Sequence, residues 1–183
     1  MASASLARKS DASQVIQQYI LTCEESFGVK VAVVHSDLGR ELKNARFQSF
    51  CKEHGIMIHM TAAFTPMQNG TVERSNQTIG DAVRAMLTGG GMEAKHWAEA
   101  ACSFVQTRNT TPRKCFSGKS AWEMFTGQSP PSLSDFFFGQ KVLYWQPRVE
   151  REMWDAPRVE ARYLSKAVHH LHNSHPGCFR VWD

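Results

Sequence analysis

The spacing of apolar residues predicts alternating helices and strands in the first part of the chain. Residues 12–27 repeat apolar side chains at helical spacing until Gly28, a residue typical of helix ends, so we expect a helix there. Residues 29–34 (VKVAVV) are short, β-branched and almost continuously apolar, which favours a buried strand. A second helix is expected at residues 41–54 and a second strand at 56–60. Residues 61–70 contain proline, asparagine and glycine and are therefore expected to form a loop.

Helices dominate the middle of the chain, and short strands follow them. A long helix is predicted at residues 71–87, ended by three glycines at 89–91, and further helices at 93–109 and 120–125. The long helix would bury a stripe formed by Val72, Ile79, Val83, Met86 and Leu87. After two prolines at 130–131, residues 141–145, 161–164 and 178–182 look like strands. We expect an α/β core at residues 11–128, then a linker and a small β-rich segment at 129–183.

Composition excludes few functions, but it indicates the class of protein and the cellular compartment. The chain is 42% hydrophobic and 21% charged, which is typical of a globular protein, and its net charge of +4 is compatible with nucleic acid. Five widely spaced cysteines without a CxxC pair favour free thiols in a reducing compartment. No segment resembles a secretory signal or is apolar for long enough to span a bilayer. We therefore expect an intracellular protein of the nucleus or cytoplasm, without a membrane partner.

Two acidic residues stand where metal ligands are often found. Asp37 directly follows the first predicted strand, and Glu73 lies at the start of the long predicted helix, with 35 residues between them. Two-metal phosphoryl transfer requires carboxylates that converge from rigid elements onto hard divalent cations. On spacing alone, the simpler interpretation is favoured, in which Asp37 caps a turn and Glu73 lies on a solvated helix face.

The surrounding motifs change that balance. Residues 35–41 (HSDLGRE) resemble the SDNGxE element around the second catalytic aspartate of retroelement integrases. Residues 65–76 (TPMQNGTVERSN) resemble their TPxQNGxxER motif, which holds the catalytic glutamate. The segments WAEA at 97–100, RNTTP at 108–112 and FRVWD at 179–183 are similar to the Copia-type continuation, in the same order. The chain therefore resembles a Copia-type retrotransposon integrase core from about residue 11 to its last residue.

This resemblance implies a ribonuclease-H-like fold, Mg²⁺ or Mn²⁺ as cofactor, and DNA as partner in 3′-processing and strand transfer. It also implies that Asp37 and Glu73 are catalytic metal ligands. Gln68, Asn69 and Gly70 would belong to the loop before the glutamate, which approaches DNA in the family. Arg74 and Asn76 match the motif too, and either contact with DNA or an ordinary place on the helix surface is open for each.

The sequence also departs from the family. The first catalytic aspartate lies on the first strand of the family's sheet, whereas the only Asp before Asp37 here is Asp11, in the approach to the first helix. By the family's layout, the first three strands are missing. Leu38 also replaces the usual asparagine beside the site. We expect Asp11 to be a poor substitute and the catalytic site to be impaired.

Three interpretations of function remain. The first is an inactive remnant of an integrase core that keeps weak metal and DNA binding. The second is a non-catalytic interaction or dimerisation module that associates with itself or with an intact integrase through an unpaired strand edge. The third is an active enzyme whose missing aspartate comes from another chain or from Asp11.

Two further groups of side chains have a structural and a functional interpretation. Histidines 169, 170, 172 and 175 with Cys178 suggest zinc, but they crowd one loop, so solvated histidines are favoured. His54 and His59 are expected at the surface or at the edge of the core. Core packing is favoured over base stacking for the aromatic residues, namely Trp97, Phe104, Trp122, Phe125 and residues 136–138.

Overall fold

The computed structural model describes residues 2, 4, 6, 8–36, 42, 44–60, 66–131, 136–146, 150, 152–154, 156–166 and 179–182, with the backbone alone at residues 60, 66–69, 71, 166 and 179. The chain forms two compact units. The first is essentially Ala4–Thr78, and the second is Ile79–His169 with Asn173–Asp183. Asp37 and the tail histidines lie outside the described residues.

The first unit contains two helices and a pair of strands. Helix α1 spans Ala12–Phe27 as predicted, and Gly28 ends it in the left-handed conformation at φ +62°. Strand β1 spans Val33–Ser36, helix α2 Ala45–Glu53 and strand β2 Met57–Met60. Helix α2 begins later than predicted because Asn44 caps it, its side-chain oxygen accepting a hydrogen bond of 2.7 Å from the Phe47 amide.

Strands β1 and β2 are parallel, and α2 supplies the crossover between them. One face of this pair packs against the core of the unit, which is formed by Ile20, Phe47, Cys51 and Ile56, with Val34 and Ile58 against it. Because side chains alternate along a strand, the residues next to Val34 and Ile58 lie on the opposite face. His35 and His59 are therefore directed away from this core, and both are exposed.

Helix α3 spans Pro66–Gly90 and begins before the predicted residue 71. The prediction of a loop through residue 70 was therefore wrong for residues 66–70. Proline is favoured at the first position of a helix because its φ is already helical and its missing N–H is not needed there. Val72 is 60% exposed and does not belong to the buried stripe, whereas Val83, Met86 and Leu87 pack in the core of the second unit as predicted.

The second unit continues with two helices and a sheet. Helix α4 spans Trp97–Thr110 and helix α5 spans Ala121–Thr126. Strands β3 (Lys141–Trp145), β4 (Arg158–Lys166) and β5 (Phe179–Trp182) form an antiparallel sheet in the order β3-β4-β5. The prediction of an α/β chain with a small β-rich tail is confirmed.

The core of this unit is formed by Ala100, Phe138 and Leu164. Several predicted core aromatics lie outside it: Trp97 is 54% exposed and Phe125 is 56% exposed. Of residues 136–138, only Phe138 is buried, because it alone is directed into the space between α3, α4 and β4. None of the helices in the described ranges is both long and apolar enough to cross a membrane.

Candidate metal and nucleic-acid site

Strands β1 and β2 have their carboxyl-terminal ends side by side. Ser36, the last residue of β1, is the register partner of Met60, the last residue of β2. Since the two strands are parallel, the chain leaves both of them at the same end of the pair. Asp37 is the next residue after Ser36, but its own position lies outside the described residues. Polar residues at the carboxyl ends of parallel strands are a common basis for ligand sites in α/β folds.

Glu73 lies about two turns into α3, since the helix begins at Pro66 and has 3.6 residues per turn. The sequence predicted Glu73 at the start of this helix, and that prediction was wrong because the helix begins at Pro66. Its side chain is exposed. Within the described ranges, the Glu73 carboxylate makes no hydrogen bond or ion pair. The carboxylate is thus accessible to a cation from solvent.

The neighbours of Glu73 on α3 are exposed as well. Arg74 and Asn76 have solvent-exposed side chains, and the Arg74 carbonyl accepts a hydrogen bond of 2.8 Å from the Thr78 hydroxyl, within the helix. This bond involves the Arg74 backbone and leaves its side chain in solvent. Arg74 and Asn76 are available to a ligand, although their exposure alone is equally typical of a helix surface.

Three predicted DNA-contacting residues lie in the first turns of α3 instead of a loop. The backbones of Gln68, Asn69 and Gly70 are helical, and the side chains of Gln68 and Asn69 lie outside the described residues. Gly70 is partly buried, and a Cβ built on it would meet, among the described residues outside its own helix backbone, no atom within 4 Å.

The donor chemistry of Asp37 and Glu73 fits a hard divalent cation, because Mg²⁺ and Mn²⁺ prefer carboxylate oxygens and retain several waters. The described residues alone do not complete a site: they contain no group of three or more His, Cys, Asp or Glu side chains arranged to hold a metal. Asp11 lies in a single 3-10 turn, Lys9–Asp11, directly before α1, where its carboxylate accepts a hydrogen bond of 3.1 Å from Ser10. This is the approach to the first helix that the sequence predicted.

A feature that the sequence alone did not reveal is the pairing of His35 with His59. The two residues are register partners on β1 and β2, and their ring centroids are 5.0 Å apart at an interplanar angle of 88°. The strand pattern predicts two strands but not their register, which depends on tertiary packing. Both histidines are surface residues, as expected for His59.

The chain was compared with protein-family models and with solved structures. No protein-family model matches it. Among solved structures, it is similar to the catalytic core domain of BIV integrase, with a TM-score of 0.48 and 22% identity over 66% of this chain and 73% of that one. It is also similar to the HTLV-2 integrase catalytic core domain in complex with magnesium, with a TM-score of 0.45 and 21% identity over 62% and 69% of the two chains.

A curated relative covers more of the sequence. The retrovirus-related Pol polyprotein from transposon TNT 1-94 of Nicotiana tabacum is 25% identical over 178 residues, which is 97% of this chain and 13% of that polyprotein. The chain thus corresponds to a small part of the length of this relative. The match over nearly the whole chain confirms that it is related to retrotransposon Pol polyproteins, as its integrase motifs predict.

Proposed function

We propose that the chain is part of the ribonuclease-H-like integrase core of a Copia-type Pol protein, with Asp37 and Glu73 as ligands of Mg²⁺ or Mn²⁺. The observation that supports this proposal is the position of the two elements next to which the acidic motifs occur in the sequence. Strand β1 ends directly before Asp37, at the same end of the strand pair where β2 ends. Helix α3 follows β2 in the sequence and exposes the side chain of Glu73 to solvent. A strand end and a helix are rigid elements from which two carboxylates can approach one cation.

The proposed substrate is DNA, and the chemistry is phosphodiester transfer. A bound divalent cation would supply positive charge that stabilises the developing charge on phosphate oxygens. Asp37 and Glu73 would hold that cation through their carboxylate oxygens. Arg74 would contact a phosphate and Asn76 would lie beside it, while Gln68, Asn69 and Gly70 would approach the DNA from the first turns of α3.

We further propose that these 183 residues by themselves are catalytically impaired. The family's site needs a third carboxylate on a strand. Among residues 1–36 the sequence has one Asp, Asp11, which lies in the 3-10 turn ahead of α1. Two carboxylates can hold one metal, but a second metal would lack a shared ligand. We therefore expect weak metal binding and salt-sensitive DNA binding without efficient strand transfer.

Strand transfer and nicking on a short labelled duplex test this directly. Wild type is compared with Asp37→Asn, Glu73→Gln and Asp11→Asn in Mg²⁺ and in Mn²⁺. We expect no wild-type product above that of the Asp37 and Glu73 variants. Product that disappears in both variants would show that the site is active and that the proposed impairment is wrong. The Asp11→Asn reaction would then tell whether Asp11 provides the third carboxylate.

The second candidate is an interaction module, and the small size of the first sheet favours it. Among the described strands, β1 and β2 pair only with each other, so each leaves an edge that a further strand could join. Self-association or pairing with an intact integrase would use such an edge. Sedimentation velocity of wild type and Glu73→Ala tests this candidate. Concentration-dependent assembly that is the same in both proteins supports it, and a monomer at all concentrations excludes self-association.

A further inference from the structure

His35 and His59 form a pair of exposed imidazoles on the face of the parallel strands that lies away from the core of the first unit. The pair is fixed by the backbone, because the two residues are register partners in the middle of β1 and β2. Their neighbours Val34 and Ile58 pack against that core and hold the two strands in this register. The rings contact each other edge to face, with centroids 5.0 Å apart.

That separation matches the one that a shared metal ion requires. Imidazole nitrogens bind zinc at about 2.0–2.1 Å, which places the centroids of two imidazoles on one ion roughly 4.5–5.2 Å apart for bond angles between square and tetrahedral. The observed 5.0 Å falls inside this interval. Since both side chains are exposed, the rings can turn their nitrogens toward a common point, and water can occupy the remaining coordination positions.

We propose that His35 and His59 together bind a divalent transition metal of the type that prefers imidazole, with Zn²⁺ as the representative ion. Imidazole suits Zn²⁺, Ni²⁺ and Cu²⁺, whereas carboxylates suit Mg²⁺ and Mn²⁺. The site is therefore chemically distinct from the proposed Asp37 and Glu73 site. It has two protein ligands, in keeping with the lack of any group of three or more metal-binding side chains in the described part of the chain.

The simpler interpretation of the pair is an edge-to-face contact between two surface imidazoles, which is a weak interaction. Two ligands that the backbone already holds at chelating distance lose little freedom when an ion binds, so binding is favoured over that of either imidazole alone. A shared metal site differs from a plain ring contact in one testable respect. Because both imidazoles bind the same ion, removal of either histidine should remove the shared Zn²⁺ site.

Zn²⁺ titration of the whole 183-residue chain tests the proposal, with binding read by isothermal calorimetry and by NMR of ¹⁵N-labelled imidazole rings. Every protein carries glutamine at positions 169, 170, 172 and 175, so that the tail histidines cannot contribute to the Zn²⁺ signal. In that background, His35→Gln and His59→Gln are compared with each other, with the double variant and with His54→Gln. His54 is an exposed histidine of the same unit that stacks on Phe50 instead, with centroids 4.4 Å apart.

We expect either single substitution to weaken Zn²⁺ binding by about tenfold or more, because one of the two protein ligands is lost. The double variant should lose no more than the singles, and His54→Gln should bind like the background protein. The ring nitrogens of both His35 and His59 should shift together during the titration, and Mg²⁺ should not shift them. Unchanged affinity in the single variants, or two independent losses that add in the double variant, would overturn the shared site. Neither result depends on DNA strand transfer.

Discussion

The backbones of Gly90 and Gly139 cross in direct contact, so that a Cβ on Gly139 would lie 2.6 Å from the Cα of Gly90. Hydrogen bonds hold the crossing: the Gly139 amide donates to the Tyr163 carbonyl over 2.7 Å. The Arg162 guanidinium donates to the carbonyls of Gly139 and Gly90, at 2.8 and 3.3 Å. The end of α3 is thereby joined to β4 within the second unit.

Gly139→Ala should destabilise the second unit more than an ordinary glycine substitution. Gly139 has a φ of +78°, which costs a non-glycine residue about 1–2 kcal/mol, and the overlap with Gly90 should add about 1–3 kcal/mol. Gly118→Ala is the matched control, because its φ of +82° is similar but no atom of the described residues lies within 4 Å of the added Cβ. Urea unfolding measures both variants. Equal losses of unfolding free energy would contradict the importance of the close contact.

The sequence predicts most element positions where a local signal marks their ends. Helix α1 has the predicted bounds because Gly28 ends it, and strand β3 has them because residues 141–145 (KVLYW) are rich in β-branched and aromatic side chains. The start of α3 was missed because asparagine and glycine at residues 69–70 resemble a loop, while the proline at position 66 is equally compatible with a helix start. Val72 has the spacing of a buried residue, but burial also needs a neighbouring element, which local spacing cannot reveal.

Acid should weaken helix α5 through its capping box. The Ser120 amide donates a hydrogen bond of 2.7 Å to the Glu123 carboxylate, and this bond lowers the pKa of Glu123 below its ordinary value of 4.5. A lowered pKa in the folded state means that the stabilisation is present above pH 4.5 and is lost as the pH falls through the folded-state pKa. We expect the unfolding free energy of wild type to fall between pH 7 and the acid range.

Glu123→Gln isolates that contribution from the other carboxylates. The side chains of Glu93 and Glu160 also have lowered pKa values because each accepts a hydrogen bond from a lysine, so both add to the loss in acid. The difference in unfolding free energy between wild type and Glu123→Gln should therefore shrink as the pH is lowered. A difference that stays constant with pH would show that the ionised carboxylate of Glu123 does not support the cap.

Arg74 should contribute one phosphate contact to DNA binding. Arg74→Gln is expected to lower affinity for a duplex at low salt and to reduce the slope of log affinity against log salt by about 1. Arg84→Gln is the control on the same helix, because the Arg84 guanidinium is exposed and already paired with Asp81. Fluorescence anisotropy across a salt series measures both. Equal effects of the two variants would indicate a general charge effect and no specific contact at Arg74.

The candidate site was only partly predictable. The residue types and order around Glu73 point to integrase chemistry, and the structure adds that its carboxylate is accessible and two turns into α3. The His35 and His59 pair could not be predicted, because the sequence pattern indicates two strands but not the register between them. Only the parallel register brings the two histidines together.

Mn²⁺ binding, read by the loss of the free-ion signal in electron paramagnetic resonance, tests the central proposal most directly. Wild type, Asp37→Asn, Glu73→Gln and Asp11→Asn are titrated under identical conditions, with circular dichroism to confirm that each is folded. We expect Asp37→Asn and Glu73→Gln each to weaken Mn²⁺ binding by about tenfold or more, while Asp11→Asn binds like wild type. Wild-type affinity in Glu73→Gln or in Asp37→Asn would contradict the assignment of these two carboxylates as ligands of one metal ion.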